Sequence, residues 1–193
     1  MESTPRDAGW ATIPNLVTVL RFLLIVPVVG VLLRGGEGDW LPVVLLGVWA
    51  STDWIDGQLA RRLDQASVIG AKLDPFVDRL GTAVIAVTLA VIGALQWWML
   101  AVLIVFDVAS TIIGVKAAAE GRLPVTWVGK VRTAVLFFGL VFLVAAVTVL
   151  PWLTIPANVL IVAGLVLHVW AATGYIASAL RQGSERRRAR GAA

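Results

Sequence analysis

Apolar stretches recur along almost the whole chain, and they leave few folds open. A membrane-spanning helix needs about 20 mostly apolar residues. Six stretches approach or exceed this: Leu16–Leu33, Leu41–Asp53, Val68–Leu95, Trp97–Ala117, Val125–Leu150 and Pro156–Leu180. The second is short as an apolar run, which predicts a helix that continues past Asp53 into polar sequence. The connections are short and punctuated: Arg34–Asp39 with its glycines, Gln96 alone, and Leu150–Pro156 with two prolines. The pattern predicts an all-α integral membrane protein with six transmembrane helices, as one domain over residues 1–180 with a basic tail over 181–193. The first stretch is read as a permanent span and not a signal peptide: its flank is weakly basic, Arg21 lies inside it, and five more spans follow.

Composition agrees. Hydrophobic residues make up 59% and charged residues 15%, where about 25% charged is usual in soluble domains. This excludes a disordered chain, a collagen and an ordinary soluble enzyme. The absence of cysteine excludes disulfides, thiolate chemistry and cysteine–zinc sites. Sixteen Lys/Arg against twelve Asp/Glu give a net charge of +4, which in this setting points to anionic lipid and not to nucleic acid. The cations are sorted by side. Arg6, Arg61, Arg62, Lys72, Lys116, Arg122, Lys130, Arg132 and the tail from Arg181 fall on one side, and Arg34, beside Glu37 and Asp39, on the other. By the positive-inside rule both termini are expected in the cytoplasm, in a multi-pass protein of the cell membrane. Trp40, Trp97, Trp98 and Trp152 fall at the outer ends, as interfacial anchors do, whereas Trp49 and Trp170 read as packing residues.

Ionisable groups near apolar spans are expensive and mark functional sites. Five of the twelve acids fall between Asp53 and Asp78. Asp53, Asp56, Gly57 and Ala60 share an arc of roughly 100° on a helix, so two carboxylates lie beside the two smallest side chains. Gly70, Asp74 and Asp78 recur every four residues and form a second stripe. Pro75 requires the third helix to start near Ala71–Pro75 or to bend there. Four carboxylates near lipid require a cation to stay ionised together. All-oxygen ligation suits Mg²⁺ or Mn²⁺, four acids suffice for two ions, and two-metal sites commonly serve phosphoryl chemistry. The plainer alternative is a solvated loop in which the acids pair with Arg61, Arg62, Lys72 and Arg79.

The pattern D-x2-D-G-x2-A-R-x8-G-x3-D-x3-D, complete from Asp53 to Asp78, resembles the signature of the CDP-alcohol phosphatidyltransferase family. Ile13–Arg21 resembles the opening of the bacterial phosphatidylglycerophosphate synthases, and Trp127–Thr133 resembles their G-K-x-K-T segment with arginine at the second basic position. The resemblance implies six membrane helices, commonly as a homodimer, with a polar cavity open to the cytoplasm. It implies transfer of a phosphatidyl group from a CDP-linked lipid such as CDP-diacylglycerol to an alcohol, with release of CMP. Carried over by position, Asp53, Asp56, Asp74 and Asp78 would ligate two divalent cations. Asp78 would also be the base, and Asp56, Gly57, Ala60 and Arg61 would hold the cytidine diphosphate part.

Lys130 and Arg132, near the cytoplasmic start of the fifth span, suit an acceptor phosphate, or else serve only as positive-inside charge. Asn15, Thr18 and Arg21 share one face of the first span. They line the cavity, with Thr18 and Arg21 as further candidates for the acceptor phosphate, or Arg21 snorkels to the interface. Asp107 in the fourth span faces the cavity or a basic partner, or is a buried protonated acid. His168 has no second ligand nearby in sequence and reads as a packed or cavity-facing polar residue. The chain has Phe106-Asp107 where the phosphatidylglycerophosphate synthases tend to have Arg-Glu. It also lacks their glutamine after the G-K-x-K-T segment, having Ala134, Val135 and Leu136. These departures bear on the acceptor. Glycerol-3-phosphate is the first expectation. A cardiolipin synthase using phosphatidylglycerol is the second. A divalent-cation transporter is the alternative from another class, although the outer halves of the spans carry few of the polar groups a transport path needs.

Overall fold

The computed structural model describes residues 12–62, 70–119, 127–170 and 173, with the side chains of 14, 53–62, 71, 72, 113–119 and 127–130 outside the description. Among the described residues every regular element is helical: α1 (Ile13–Arg34), α2 (Leu41–Arg62), α3 (Gly70–Val91), α4 (Trp97–Ala119), α5 (Trp127–Thr148), a 3₁₀ turn (Pro151–Leu153) and α6 (154–170). Asn15–Arg34, Val131–Thr148 and Pro151–Trp170 are long and apolar enough to cross a membrane, with mean hydropathies of 2.7, 2.2 and 1.9. Leu41–Thr52 and Trp97–Ile112 are shorter apolar stretches. The expectation that α2 outruns its apolar part holds, because its backbone stays helical to Arg62. The start expected near Ala71–Pro75 falls at Gly70, with Pro75 inside the first turns of α3.

The chain divides into two compact units, Met1–Leu95 with Leu143–Thr154 and Gln96–Phe142 with Ile155–Ala193. In the first, the Thr12 hydroxyl accepts from Asn15 N–H at 3.3 Å and caps α1, with proline in the first turn. Arg34 closes α1 in favourable register with its dipole, and Gly35, at φ 65°, lets the chain leave the helix. Pro27 removes one donor from the α1 ladder. The Asp39 carboxylate accepts from Leu41 N–H at 2.8 Å and satisfies an orphan donor at the start of α2. Gly38 N–H donates to the Thr148 carbonyl at 2.6 Å, so the α1–α2 turn is tied to the last turn of α5.

The buried face of α1 runs Asn15, Thr18, Arg21, Ile25, Val28 and Leu32. The steps of three and four residues make one helical stripe, polar at its N-terminal end and apolar beyond. The other faces of α1 expose Leu16, Leu20, Leu23 and Val26, as a helix apolar all round does in a bilayer.

In the second unit, α5 and α6 meet through glycines. A Cβ on Gly139 would lie 2.8 Å from Ile161 Cγ1 and 3.0 Å from its backbone nitrogen, and one on Gly164 would lie 2.6 Å from Leu136 Cγ. Small residues at matching levels let two membrane helices approach closely. Gly139→Ala and Gly164→Ala should each lower the thermal unfolding midpoint in detergent, by the equivalent of about 1–3 kcal/mol. Both added methyls would meet partner backbone as well as side chain, Ile161 N at 3.0 Å and Leu136 N at 3.1 Å, so the two costs should be similar.

Trp40, Trp97, Trp98 and Trp152 are exposed, as anchors require, and Trp49 is buried at 4% exposure. Trp170 corrects the expectation of packing, for it is 63% exposed. A single tryptophan inside a span does not reveal which way around the helix it faces.

Candidate active site

α1 and α3 of the first unit bring the described site residues together, and their directions follow from contacts. Thr18 Oγ1 donates to Asp74 Oδ1 at 2.6 Å, and Arg21 Nη1 lies 3.1 Å from Asp78 Oδ1. These partners advance together along both chains, so α1 and α3 run parallel. The short turn from Gly35 to Trp40 folds α2 back on α1. α2 is therefore antiparallel to α3.

A close approach then fixes which faces of α2 and α3 meet. A Cβ on Gly81 would overlap Trp49 Cζ2 and lie 3.1 Å from Trp49 Cε2. Asp53 and Asp56 fall within about 40° of Trp49 around α2, and Asp74 and Asp78 within about 60° of Gly81 around α3. By backbone geometry, positions 53 and 56 share the side of α2 that carries Trp49, and positions 74 and 78 the side of α3 that carries Gly81. Because the helices are antiparallel, the step from Trp49 to Asp53 matches the step from Gly81 back to Asp78. The longer step to Asp56 matches the step back to Asp74.

The described carboxylates sit on a protein-side support. Arg21 is fully buried, at 0% exposure, while the side chains of Asp74 and Asp78 are 38% and 42% exposed. Arg21 Nη2 also lies 3.8 Å from Asp74 Oδ1. One guanidinium therefore spans two carboxylates on successive turns. This decides between the two sequence readings of Arg21: it lines the site and does not snorkel.

The expected metal ligands Asp53 and Asp56, and the expected nucleotide contacts Gly57, Ala60 and Arg61, have backbones within α2, but their side chains lie outside the described residues. Among the described residues no third metal-ligating side chain joins Asp74 and Asp78. The donor chemistry nevertheless fits a hard divalent cation. Both are carboxylates on successive turns of one helix, and both are part-exposed. Lys130 is in the first turn of α5 with its side chain outside the description.

Arg132 belongs to the second unit, where it is buried at 9% exposure and Nη1 donates to Ser110 Oγ at 3.2 Å. Ser110 was not singled out in the sequence, since a lone serine in a span carries no spacing signal. His168 is buried, with its ring edge-on to Phe106 at 6.5 Å and 84°, in line with its reading as a packed polar residue. Asp107 is half-buried, and its carbonyl accepts from Thr111 Oγ1 at 2.8 Å.

Apolar helices with two part-exposed carboxylates on α3, contacted from α1 by a buried arginine and threonine, define a helical membrane protein with an acidic site. The chain belongs to the CDP-alcohol phosphatidyltransferase family, whose model matches residues 11–170. It is 34% identical over 169 residues to a Mycobacterium tuberculosis protein named as a cardiolipin synthase, covering 86% of this chain and 78% of that one. It is 32% identical over 190 residues to a Mycobacterium tuberculosis protein named as a phosphatidylglycerophosphate synthase, covering 92% and 88%. To a Pseudomonas fluorescens protein named CDP-diacylglycerol–glycerol-3-phosphate 3-phosphatidyltransferase it is 35% identical over 179 residues, covering 86% and 89%. The chain is thus a membrane enzyme of phospholipid biosynthesis, a phosphatidyltransferase acting on CDP-linked substrates and alcohol acceptors.

Proposed function

We propose that the enzyme transfers the phosphatidyl group of CDP-diacylglycerol to glycerol-3-phosphate, giving phosphatidylglycerophosphate and CMP. The observation that carries the reading is the pair of part-exposed carboxylates Asp74 and Asp78 on successive turns of α3, both contacted from α1 by buried Thr18 and Arg21. Asp53, Asp56, Asp74 and Asp78 would hold two divalent cations, Mg²⁺ or Mn²⁺. When bound, these supply charge neutralisation of the diphosphate and polarisation of the phosphorus under attack.

The chain's own residues do the rest. Asp56, Gly57, Ala60 and Arg61 bind the cytidine diphosphate part, the two small residues allowing close approach to the backbone. The acceptor hydroxyl oxygen forms a new bond to the phosphorus that carries diacylglycerol. The bond from that phosphorus to the oxygen of CMP breaks, CMP leaves, and the hydroxyl proton passes to the Asp78 carboxylate. The lipid tails stay in the bilayer throughout.

The wider arrangement belongs to the same reading: six spans, both termini in the cytoplasm, and one domain over residues 1–180 of a homodimer in the cell membrane. The site opens to the cytoplasm.

Lys130 and Arg132 favour a phosphorylated acceptor, since a lipid acceptor needs less phosphate-binding charge. A charge-assisted hydrogen bond is worth about 1.5–3 kcal/mol. Lys130→Ala should therefore raise KM for glycerol-3-phosphate about tenfold or more with kcat little changed, and an unchanged KM would reduce Lys130 to topological charge. The similarity to the protein named as a cardiolipin synthase supports phosphatidylglycerol as the second reading. The deciding experiment supplies purified enzyme with CDP-diacylglycerol, Mg²⁺ or Mn²⁺ and each acceptor in turn, and identifies the lipid formed alongside CMP. Phosphatidylglycerophosphate is the expected product. Cardiolipin made only with phosphatidylglycerol would replace the first reading by the second.

A further inference from the structure

We infer that Thr18 and Arg21 of α1 are positioning residues that hold Asp74 and Asp78 from behind by their Oδ1 oxygens and so set the ligand geometry of α3. The inference rests on the proposal that these two carboxylates ligate divalent cations. It gives Thr18 and Arg21 a role other than contact with the acceptor phosphate.

Three observations carry it. The first is the division of atoms. Thr18 Oγ1 lies 2.6 Å from Asp74 Oδ1, Arg21 Nη2 lies 3.8 Å from the same oxygen, and Arg21 Nη1 lies 3.1 Å from Asp78 Oδ1. Every one of these contacts uses Oδ1. The second is burial. Thr18 and Arg21 are 1% and 0% exposed, whereas the carboxylates they hold are 38% and 42% exposed. The support is thus on the protein side and the acids face outward. A guanidinium with no exposed surface, 3.1 Å from Asp78 and in a longer ion pair of 3.8 Å with Asp74, is placed to orient them. The third is register. Thr18 to Arg21 is one turn of α1, Asp74 to Asp78 is one turn of α3, and the parallel helices match level for level.

The chemistry explains the residue types. A planar guanidinium fork can bond two oxygens in fixed directions, which a lysine ammonium cannot. A short hydroxyl reaches Asp74 from a helix that packs directly against α3. Further along α1, buried Ile25, Val28 and Leu32 continue the same stripe and keep the helix from sliding, so the two polar residues stay in register with the acids. Groups that orient metal ligands typically change metal affinity about 10–100-fold when removed.

The test measures Mn²⁺ binding directly, by the electron paramagnetic resonance signal of free Mn²⁺, on the full-length protein in detergent without nucleotide or lipid substrate. Thr18→Val keeps the shape and removes the hydroxyl. It should weaken Mn²⁺ binding about 10–100-fold, and Thr18→Ser should restore it. Arg21→Lys keeps the charge and loses the fork, and should weaken binding similarly. Thermal unfolding of each variant reports whether the fold survives. Wild-type Mn²⁺ binding in both Thr18→Val and Arg21→Lys overturns the inference, as does a loss in Thr18→Val that Thr18→Ser fails to repair. Asp74→Asn separates this from the underlying reading. Undiminished Mn²⁺ binding in that variant overturns the metal assignment itself, whereas loss there with normal binding in the α1 variants overturns only the positioning role.

Discussion

Asp78→Asn should lower the rate of CMP release by at least about 10²–10⁴-fold, the usual contribution of a positioned base, while CDP-diacylglycerol binding stays measurable. The asparagine keeps an oxygen where Asp78 Oδ1 now meets Arg21 Nη1 at 3.1 Å. The buried guanidinium therefore retains a partner, and the helices have no reason to separate. What the variant loses is the negative charge and the ability to take a proton. Turnover, substrate binding and thermal midpoint should thus part company: the first collapses, the second weakens, and the third hardly moves. Asp78 is also a proposed ligand, so some weakening of Mn²⁺ binding should accompany the lost turnover. Normal turnover in Asp78→Asn would remove this residue from the reaction. A collapse of all three measurements would make it a structural acid instead.

Much of the site was legible before the structure, because helical periodicity converts spacing into faces. The four-residue steps from Gly70 to Asp78 predict one stripe on α3, and the continuation of α2 beyond its apolar run follows from the polar motif that succeeds Asp53. Spacing along one helix cannot say which other helix lies opposite. Arg21 illustrates the gap. Its position on the face of Asn15 and Thr18 was readable, but a snorkelling arginine and a buried one have the same neighbours in sequence. Only the pairing of α1 with α3 decides between them, by bringing two carboxylates to its guanidinium. The Trp49–Gly81 approach was hidden for the same reason. Trp49 reads as a packing residue, but the residue it packs on is a glycine 32 residues away, and a glycine in a helix announces nothing by itself. The acceptor is less legible still. The signature from Asp53 to Asp78 concerns the half of the reaction that relatives with different names share.

Gly81→Ala should reduce turnover about 100-fold although residue 81 touches no substrate in the proposed mechanism. The added methyl would overlap Trp49 Cζ2 and crowd Cε2 and Cη2 at 3.1 and 3.2 Å. The Trp49 ring is buried, so it has little room to turn away, and α2 and α3 must shift apart by something of the order of 1 Å. A misplacement of about that size costs roughly 10²-fold in rate when it separates groups that act together. Gly81 lies one turn beyond Asp78 on α3, and Trp49 one turn before position 53 on α2. The stability cost should be modest, about 1–3 kcal/mol for overpacking, so the protein should still purify in folded form. Trp49→Phe removes ring atoms at the point of overlap. Added to Gly81→Ala, it should recover much of the lost activity, whereas alone it should leave a small cavity and a slightly lower thermal midpoint. A double variant no more active than Gly81→Ala would mean that the spacing of α2 and α3 is not set at this contact. Recovery would show that the separation of the acid stripes, and not the glycine as such, controls the rate.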